Sequence, residues 1–258
     1  MKRIVRMKVM MLALVLMTSL AVAAQEKKAD APTIPGDPSR VYASMGNYVF
    51  ATRTLLRELH DDAANEHSTH DFGRDILPRM VGDAKVFAYD FTSNAIPNMT
   101  EAQRGYWRDV GTIDAYWQAS EDLISVTPIL NLYNPSWPMI SAFYPNPPAK
   151  FVFSDAEHNR VGVATNSMVS EGCIISGGHV DRSILGPRVR VNSFSLVSES
   201  ILFDGVEVGR HARIKRAIID KGVIVPQGTT IGYDEAEDRA RFAVSEGGIV
   251  VIPKGMVL

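Results

Sequence analysis

A six-residue period in the C-terminal part of the chain constrains its fold more than any other feature of the sequence. Small or apolar residues recur at this spacing, and the phase slips twice, near Val180 and near Gly205. The positions are Val163, Val169, Ile175, Val189, Ser195, Ile201, Val206, Ala212, Ile218, Ile224 and Thr230. Such a period is typical of a parallel β-helix, in which each repeat gives one short strand and one corner. We therefore predict a left-handed parallel β-helix of roughly four coils.

Composition allows a folded chain and narrows the classes of partner. Of the 258 residues, 46% are hydrophobic and 22% are charged, with a net charge of −2. This balance gives no general attraction for nucleic acid or an anionic membrane surface, so we predict no nucleic-acid partner. The one cysteine, Cys173, excludes an internal disulfide, and its small-residue surroundings favour a buried side chain over a nucleophile.

Residues 1–24 have the pattern of a secretory signal peptide. Basic residues precede an almost wholly apolar run, Val9–Leu20, and Ala21-Val22-Ala23 offers a cleavage site. The run is short for a membrane-spanning helix, so we expect no stable membrane anchor. Two interpretations stay open, namely a true signal joined to a gene fragment, or a truncated or frame-shifted reading frame that begins with an apolar stretch.

Residues 25–133 mix strand-like and helix-like patterns. The prolines of Ala29–Arg40 mark a loop, and Thr112 can cap a helix that carries Asp114 near its positive N-terminus. Apolar spacing predicts strands at Tyr42–Phe50, at Lys85–Phe91 and before Asp109, and helical segments at Thr52–Leu59, Arg74–Met80 and Ile113 to about Val126. Residues 134–160 are rich in proline and predict a linker, which separates 25–133 from the β-helix and tail at 161–258.

Three short motifs in residues 25–133 combine aromatic and polar side chains. They are Ala43–Phe50, which contains Ser44 and Tyr48, then Asp71-Phe72-Gly73, and Trp107-Arg108-Asp109. With Glu26-Lys27 and the hexapeptide period, they resemble the C-terminal part of bacterial glucose-1-phosphate adenylyltransferases (ADP-glucose pyrophosphorylases). The resemblance covers about residues 25–252. It implies an α/β remnant of a Rossmann-like nucleotidyltransferase domain at 25–133, followed by the β-helix.

The resemblance also implies a role for each of these polar and aromatic residues. Those that would bind glucose 1-phosphate are Glu26, Lys27, Ser44, Tyr48, Asp71, Phe72 and Trp107. Asp109 would be catalytic, as one of two carboxylates that hold Mg²⁺. Lys28 replaces a proline of the family motif. Ordinary structural alternatives are a strand serine for Ser44, a helix cap for Asp71 and a core position for Trp107.

The family's Gly-rich nucleotide loop, of the form GGxGxRL, does not occur in these 258 residues. The family converts ATP and glucose 1-phosphate to ADP-glucose and diphosphate for glycogen synthesis, under allosteric control. The resemblance therefore implies a cytoplasmic chain that is incomplete and inactive alone, although the N-terminus leaves export open. It would bind ATP only when a nucleotide half is supplied, and would form a homo-oligomer or assemble with complete subunits. Whether this chain is itself an enzyme stays open.

Two other functions remain alternatives. One is a non-catalytic β-helix module for assembly or regulation. The other, less favoured, is a hexapeptide acyltransferase, for which His179 and His211 are the candidate catalytic residues.

Further charged and histidine-rich segments favour ordinary surface roles. His60, His67 and His70 lie in a polar segment, and we favour a solvated loop over a metal site. The basic run Arg210–Arg216 alternates with core positions, which favours the outer face of a coil over an anion or subunit contact. Arg239 and Arg241 lie in the tail, where the family binds allosteric anions.

Overall fold

A computed structural model describes residues 33–34, 36–140, 144–152, 154–155, 157–158 and 160–258. The signal-like segment 1–24 and the residues Glu26 and Lys27 lie outside the described residues. The chain divides into two compact units, with the boundary between Phe91 and Thr92. Over the described ranges, we find no helix with the length and apolar character that crossing a membrane demands.

The first unit consists of a small hairpin and short helices. Its elements are the antiparallel strands β1 (Thr33–Ile34) and β2 (Asp37–Val41), helix α1 (Thr52–Ala63), a π-helical turn (Phe72–Ile76) and helix α2 (Leu77–Asp83). These helices confirm the helical segments that the apolar spacing predicts at Thr52–Leu59 and Arg74–Met80. Among the described residues of this unit, only Ile76 and Met80 are buried apolar side chains. This unit therefore has a very small core.

The strand predictions for this part of the chain are wrong. Tyr42–Phe50, Lys85–Phe91 and the segment before Asp109 form no strand, whereas the predicted loop at Ala29–Arg40 contains the β1–β2 hairpin. A strand is stable when its backbone groups pair with a neighbour. In the described part of the first unit, Tyr42–Phe50 adds no strand to the β1–β2 hairpin, and Lys85–Phe91 contains a single bridge residue, Ala88.

The second unit begins with an irregular segment and ends in the predicted β-helix, which is confirmed as a parallel solenoid of about four turns. The short 3₁₀ turns Phe91–Ser93 and Glu101–Gln103 precede helix α3 (Ile113–Leu123). The first sheet contains β3 (Lys150–Val152), β6 (Ile174–Ser176), β9 (Arg190–Val191), β12 (Glu207–Val208) and β15 (Ile224–Val225). The second contains β4 (Val163–Thr165), β7 (His179–Asp181), β10 (Leu196–Ser198), β13 (Arg213–Lys215) and β16 (Thr230–Ile231). The third contains β5 (Met168–Val169), β8 (Ile184–Leu185), β11 (Ile201–Leu202), β14 (Ala217–Ile219), β18 (Val250–Ile252) and the antiparallel β17 (Ala243–Val244).

The coil length differs from a strict repeat of three hexads. Val180, Val197, Ile214 and Ile231 stack in register at intervals of 17 residues, one fewer than three hexads, and Ala164 pairs with Val180 at an interval of 16. The residues that fill the interior, each at most 1% exposed, include Ile175, Val180, Leu185, Val189, Val191, Val197, Leu202, Val206, Val208, Ala212, Ile214, Ile219, Val225 and Ile231.

These shorter coils shift several of the hexad positions out of the main interior, and Thr230 yields the inward place to its neighbour Ile231. Ile224 is 64% exposed, because its neighbours Val223 and Val225 point inward instead. Ile201 and Ile218 belong to a second cluster, which also contains Ile249 and packs against Tyr116 and Trp117 of α3.

The coil turns its corners through residues with left-handed backbone dihedrals. Glycine occupies several of these positions, such as Gly205, Gly222 and Gly228. One corner column has no glycine, and its members have φ between 44° and 49°. They are Asn166, Arg182, Glu199 and Arg216. A left-handed conformation costs an L-residue about 1–2 kcal/mol, so their side chains or backbone groups must make contacts that offset it.

The C-terminal end of the β-helix is covered by helix α4 (Glu235–Arg241) and the tail. Asp234 caps α4 by accepting a hydrogen bond from Glu237 N–H at 3.0 Å. Phe242 joins the β-helix core, and Met256 and Leu258 pack against it. The tail therefore closes one open end of the stack.

Candidate functional site

Three of the predicted sugar-phosphate residues lie together in the first unit. The hydroxyl oxygens of Ser44 and Tyr48 are 2.7 Å apart, and Gly46 N–H donates to Ser44 Oγ. The rings of Tyr48 and Phe72 are 5.9 Å apart, and Phe50 lies 5.7 Å from Phe72. This cluster, which we call the aromatic platform (Ser44, Tyr48, Phe50 and Phe72), offers two hydroxyls beside an apolar ring surface.

Asp71 begins the π-helical turn beside the aromatic platform. It caps that turn, since its Oδ1 accepts a hydrogen bond from Arg74 N–H at 2.7 Å. An added Cβ on Gly73 would lie 3.4 Å from Asp71 Oδ1 and 3.7 Å from the Tyr48 hydroxyl. Asp71 therefore has the predicted capping role and also approaches the platform, which leaves its exposed carboxylate able to meet a sugar hydroxyl.

The loop that leads into Asp71 is tied to α1 by a buried carboxylate. Asp62 is 3% exposed; it accepts from Ser68 Oγ at 2.6 Å and lies 2.8 Å from His70 Nδ1. His70 N–H donates to Ser68 Oγ at 3.0 Å. The hydrogen bond from Ser68 and then that from His70 lower the pKa of Asp62. His70 is thus exposed but anchored, whereas the sequence predicted a solvated loop.

A second carboxylate fixes the same loop from the other side. Asp75 Oδ2 accepts from the N–H groups of Thr69 and Asp71, each at 3.2 Å, and from the Thr69 hydroxyl. The Thr69 hydroxyl is the main cause of the lowered pKa of Asp75. His70 has φ of 60°, an uncommon value for a residue other than glycine. The loop 68–71 is therefore held in one conformation by two carboxylates.

Sequence reasoning missed this anchoring of the loop. The signal that could have found it is the Ser-x-His-Asp order of residues 68–71, in which Ser68 and His70 follow Asp62 of α1 by six and eight residues. Over the described residues, no group of three or more His, Cys, Asp or Glu side chains is arranged to hold a metal ion.

Trp107 and Asp109 belong to the second unit. Trp107 is 44% exposed, so it is not a core residue of this unit. Asp109 is exposed, and its Oδ1 accepts from Gly111 N–H at 3.0 Å in the turn before α3. Mg²⁺ in phosphate-binding sites commonly takes one or two carboxylates and completes its shell with phosphate oxygens and water. An exposed carboxylate on a fixed turn fits one such ligand.

Helix α3, which follows Asp109, is held against the β-helix by its first turn. Thr112 caps the helix as predicted, accepting from Ala115 N–H at 3.1 Å. Asp114 accepts from Ser245 Oγ at 2.5 Å and from Gly247 N–H at 3.1 Å. The start of α3 is therefore hydrogen-bonded to the turn between β17 and β18, a contact that the sequence did not predict.

The rest of α3 contacts the corner column that has no glycine. Trp117 Nε1 donates to Glu199 O at 3.0 Å, and the Arg216 guanidinium lies 5.0 Å from the Trp117 ring. Arg216 also donates to Gly247 O at 2.7 Å. Arg182 donates to Glu121 at 2.8 Å; burial raises the pKa of Glu121, and Arg182 partly opposes that rise.

The basic segments of the β-helix and tail are largely engaged within the chain. The run Arg210–Arg216 alternates between exposed side chains and the core residues Ala212 and Ile214, as predicted for an outer face. Arg239 and Arg241 each form an ion pair one helical turn away on α4, both at 2.8 Å. A shallow depression on the first sheet, lined by Lys150, Val152, Ile174, Ser176 and Arg190, contains none of the predicted site residues.

Two family models match the chain, and they agree with this architecture. A nucleotidyl transferase model matches residues 23–126, and a GlmU-like C-terminal hexapeptide model matches residues 147–252. The chain thus carries a nucleotidyl transferase segment followed by a hexapeptide β-helix.

Individual relatives define the match more closely. The chain is 54% identical over 232 residues to a glucose-1-phosphate adenylyltransferase from Anaeromyxobacter sp., covering 90% of this chain and 56% of that protein. It is 49% identical over 235 residues to the Parafrankia sp. enzyme, with 90% and 56% covered, and 51% identical over 232 residues to the Geobacter metallireducens enzyme, with 89% and 55% covered. The chain is a homologue of the glucose-1-phosphate adenylyltransferases, and it spans about half the length of the curated relatives it matches.

Proposed function

We propose that this chain provides the sugar-phosphate side of a glucose-1-phosphate adenylyltransferase site. The observation that carries the proposal is the aromatic platform, in which Ser44, Tyr48 and Phe72 come together within the first unit. Hydroxyls beside aromatic rings suit a hexose, which has polar edges and apolar faces. The names of the relatives point to the same substrate.

The proposed roles follow the chemistry of each side chain. Lys27 binds the phosphate of glucose 1-phosphate as a compact positive charge, and Glu26 accepts from the sugar hydroxyls. The platform and Asp71 orient the hexose, and the sugar-binding role proposed for Trp107 follows from the resemblance of its motif. In the complete reaction an oxygen of the sugar phosphate attacks the α-phosphorus of ATP, and diphosphate leaves. Orientation of the two substrates is the main contribution of the protein to such a step.

Asp109 is proposed as the catalytic carboxylate and as one of the ligands of Mg²⁺. When bound, the ion neutralises charge on the nucleotide phosphates. Nucleotidyl transferases generally depend on a metal; the assignment to Asp109 follows from the resemblance of its motif, and its exposed carboxylate on a fixed turn is compatible with it. These 258 residues contain no GGxGxRL segment to cradle those phosphates. We therefore expect turnover by these 258 residues only when a nucleotide half is supplied.

The proposed partners follow from the β-helix. Stacked hexapeptide coils leave flat outer sheets, and here the first sheet exposes Phe151 and Ile224. We propose assembly into a homo-oligomer, or with complete adenylyltransferase subunits, through the β-helix. A cytoplasmic location is proposed from the relatives alone.

A non-catalytic β-helix module is the second candidate function. The observation that favours it is the contrast in cores, because the first unit buries few apolar side chains while the β-helix has a continuous interior. In this case the aromatic platform would bind no sugar phosphate.

Calorimetric titration with glucose 1-phosphate tests the proposed function. We expect weak binding by the unaltered chain, abolished in Lys27→Ala and unchanged in Asp109→Ala, because a charge-assisted contact dominates phosphate affinity. Lys28→Ala is the matched control for loss of one positive charge. Absence of binding in all four proteins would leave only the β-helix module.

A turnover assay of these 258 residues alone tests their dependence on a supplied nucleotide half. We expect no release of diphosphate from ATP and glucose 1-phosphate. Steady release that disappears in Asp109→Ala would contradict this expectation.

A further inference from the structure

The loop 68–71 presents an exposed imidazole whose orientation is fixed by a buried carboxylate. Because an ionised carboxylate only accepts hydrogen bonds, the 2.8 Å contact with Asp62 places the proton of His70 on Nδ1. Asp62 is kept ionised by its hydrogen bonds from Ser68 and His70, which lower its pKa. In the neutral ring, Nε2 is then a hydrogen-bond acceptor.

The conformation of His70 is energetically unfavourable by itself, which argues that it serves a ligand as well as closing the loop. His70 has a left-handed φ of 60°, and its side chain remains 61% exposed. Strained residues persist where the surroundings over-determine them, and they concentrate at ligand sites. Here Asp62 holds the loop from α1, and Asp75 holds it from the π-helical turn.

The three polar side chains do not form a nucleophile and base. Ser68 Oγ and His70 Nδ1 both contact Asp62, and Ser68 Oγ accepts from the His70 N–H group. The hydroxyl is therefore not aligned for deprotonation by the ring. What the constellation provides is a rigid acceptor next in sequence to Asp71 and Phe72.

We infer that His70, oriented by Asp62, is a specificity-determining residue that accepts a hydrogen bond from one hydroxyl of the bound hexose through Nε2. This inference rests on the proposed function, since it places His70 beside the sugar that the aromatic platform and Asp71 bind. In this proposal His70 recognises one sugar hydroxyl, whereas Lys27 binds the phosphate.

The decisive variant is His70→Asn. The asparagine amide nitrogen takes nearly the place of Nδ1 and can still donate to Asp62, and asparagine tolerates a positive φ. Only the Nε2 acceptor is lost. The matched control is His67→Asn, at an exposed histidine that directly precedes the loop 68–71.

Affinities for glucose 1-phosphate and its monodeoxy analogues measure the effect in the full chain. We expect His70→Asn to lower the affinity for glucose 1-phosphate by about tenfold or less, the range of one hydrogen bond, with no change in His67→Asn. One deoxy analogue should bind the unaltered chain as weakly as glucose 1-phosphate binds His70→Asn, and should lose nothing further in that variant.

The outcomes separate this inference from the function it rests on. If the unaltered chain binds glucose 1-phosphate and His70→Asn binds it equally well, the inference is wrong and the proposed function stands. If His70→Asn weakens every analogue equally, the residue does not read a hydroxyl. If the unaltered chain binds no sugar phosphate, both fail. Asp62→Asn should lose affinity to the same extent as His70→Asn, and the double variant should lose no more.

Discussion

At the scale of single residues, a ladder of serine hydroxyls runs along one corner of the β-helix. Ser167 Oγ accepts from Ser183 N–H at 3.0 Å, and Ser183 Oγ accepts from Ser200 N–H at 3.1 Å. Ser200 Oγ accepts in turn from Ala217 N–H at 3.1 Å and donates to Ser198 O at 2.6 Å. Each hydroxyl therefore satisfies a backbone group that the tight corner would otherwise leave unpaired.

We predict that Ser200→Ala lowers the free energy of unfolding by about 1–3 kcal/mol, because the buried Ala217 N–H loses its acceptor. Ser200 is 1% exposed, so water cannot replace the hydroxyl without a rearrangement. Denaturant unfolding of the two proteins measures the difference. Equal midpoints would show that the ladder does not stabilise the coil.

Asp238 of α4 gives a prediction about pH. It is 3% exposed and accepts from Gly232 N–H at 2.9 Å. Burial raises its pKa, and the Gly232 hydrogen bond only partly opposes the rise. Because the folded pKa lies above the unfolded one, ionised Asp238 reduces stability above the folded pKa, and this penalty fades as the pH falls through it.

We therefore predict that Asp238→Asn is at least as stable as the unaltered chain at neutral pH. The asparagine oxygen still accepts from Gly232 N–H, and the cost of a buried charge is removed. The stability difference should shrink as the pH falls through the folded pKa of Asp238 and level off below about 3, where the carboxyl is largely protonated in both states. Thermal unfolding at several pH values measures this. An Asn variant that is much less stable at neutral pH would mean that the charge itself stabilises α4.

Sequence reasoning predicts a residue's type of role more readily than its partners. Asp71 is a helix cap by position, since it precedes an apolar helical segment, and the structure has that cap. The Asp62–His70 pair joins residues on a helix and a loop, and nothing in local spacing specifies it. The contact of Asp114 with Ser245 links positions 131 residues apart, which only the folded β-helix brings together.

At the scale of elements, the hexapeptide period predicts the β-helix because each repeat carries its own inward side chain. It does not predict which columns face inward, since coils of 16 or 17 residues shift the phase of the period, and Ile224 is exposed as a result. The strands predicted at Tyr42–Phe50 and Lys85–Phe91 fail for another reason. Strand formation requires a paired neighbour from elsewhere in the chain, which a local pattern does not contain.

Helix α3 is the element whose position depends most on single contacts. We predict that Asp114→Ala lowers stability by about 2 kcal/mol, because two hydrogen bonds to a carboxylate are lost. It should also raise amide hydrogen exchange at Gly247 and Ile249. Asp114→Asn, which can still accept one of these bonds, should have a smaller effect.

A second substitution tests whether the contact is direct. A Cβ on Gly247 would lie 2.6 Å from Asp114 Oδ1. Gly247→Ala should therefore destabilise the unaltered chain and have little effect once Asp114 is alanine. Additive losses in the double variant would mean that the two residues act separately.

At the scale of the whole molecule, stability is divided unevenly between the two units. The described residues of the first unit bury Ile76 and Met80 as apolar side chains, whereas the β-helix buries a continuous stack over successive coils. Nearest-neighbour stacking makes such a solenoid cooperative over several coils. Local opening should therefore be far more frequent in the first unit.

We predict that limited proteolysis cuts first on the N-terminal side of Thr92 and leaves a resistant C-terminal fragment that includes α3. The helix should be protected because Asp114, Trp117 and Glu121 attach it to the β-helix and tail. Mass spectrometry of the resistant fragment gives its first residue. Trp117→Ala removes the indole hydrogen bond and most of the ring contact, so its resistant fragment should begin beyond Leu123. A fragment that retains the first unit and loses the β-helix would reverse this order of stability, and an unchanged fragment in Trp117→Ala would show that α3 does not depend on that contact.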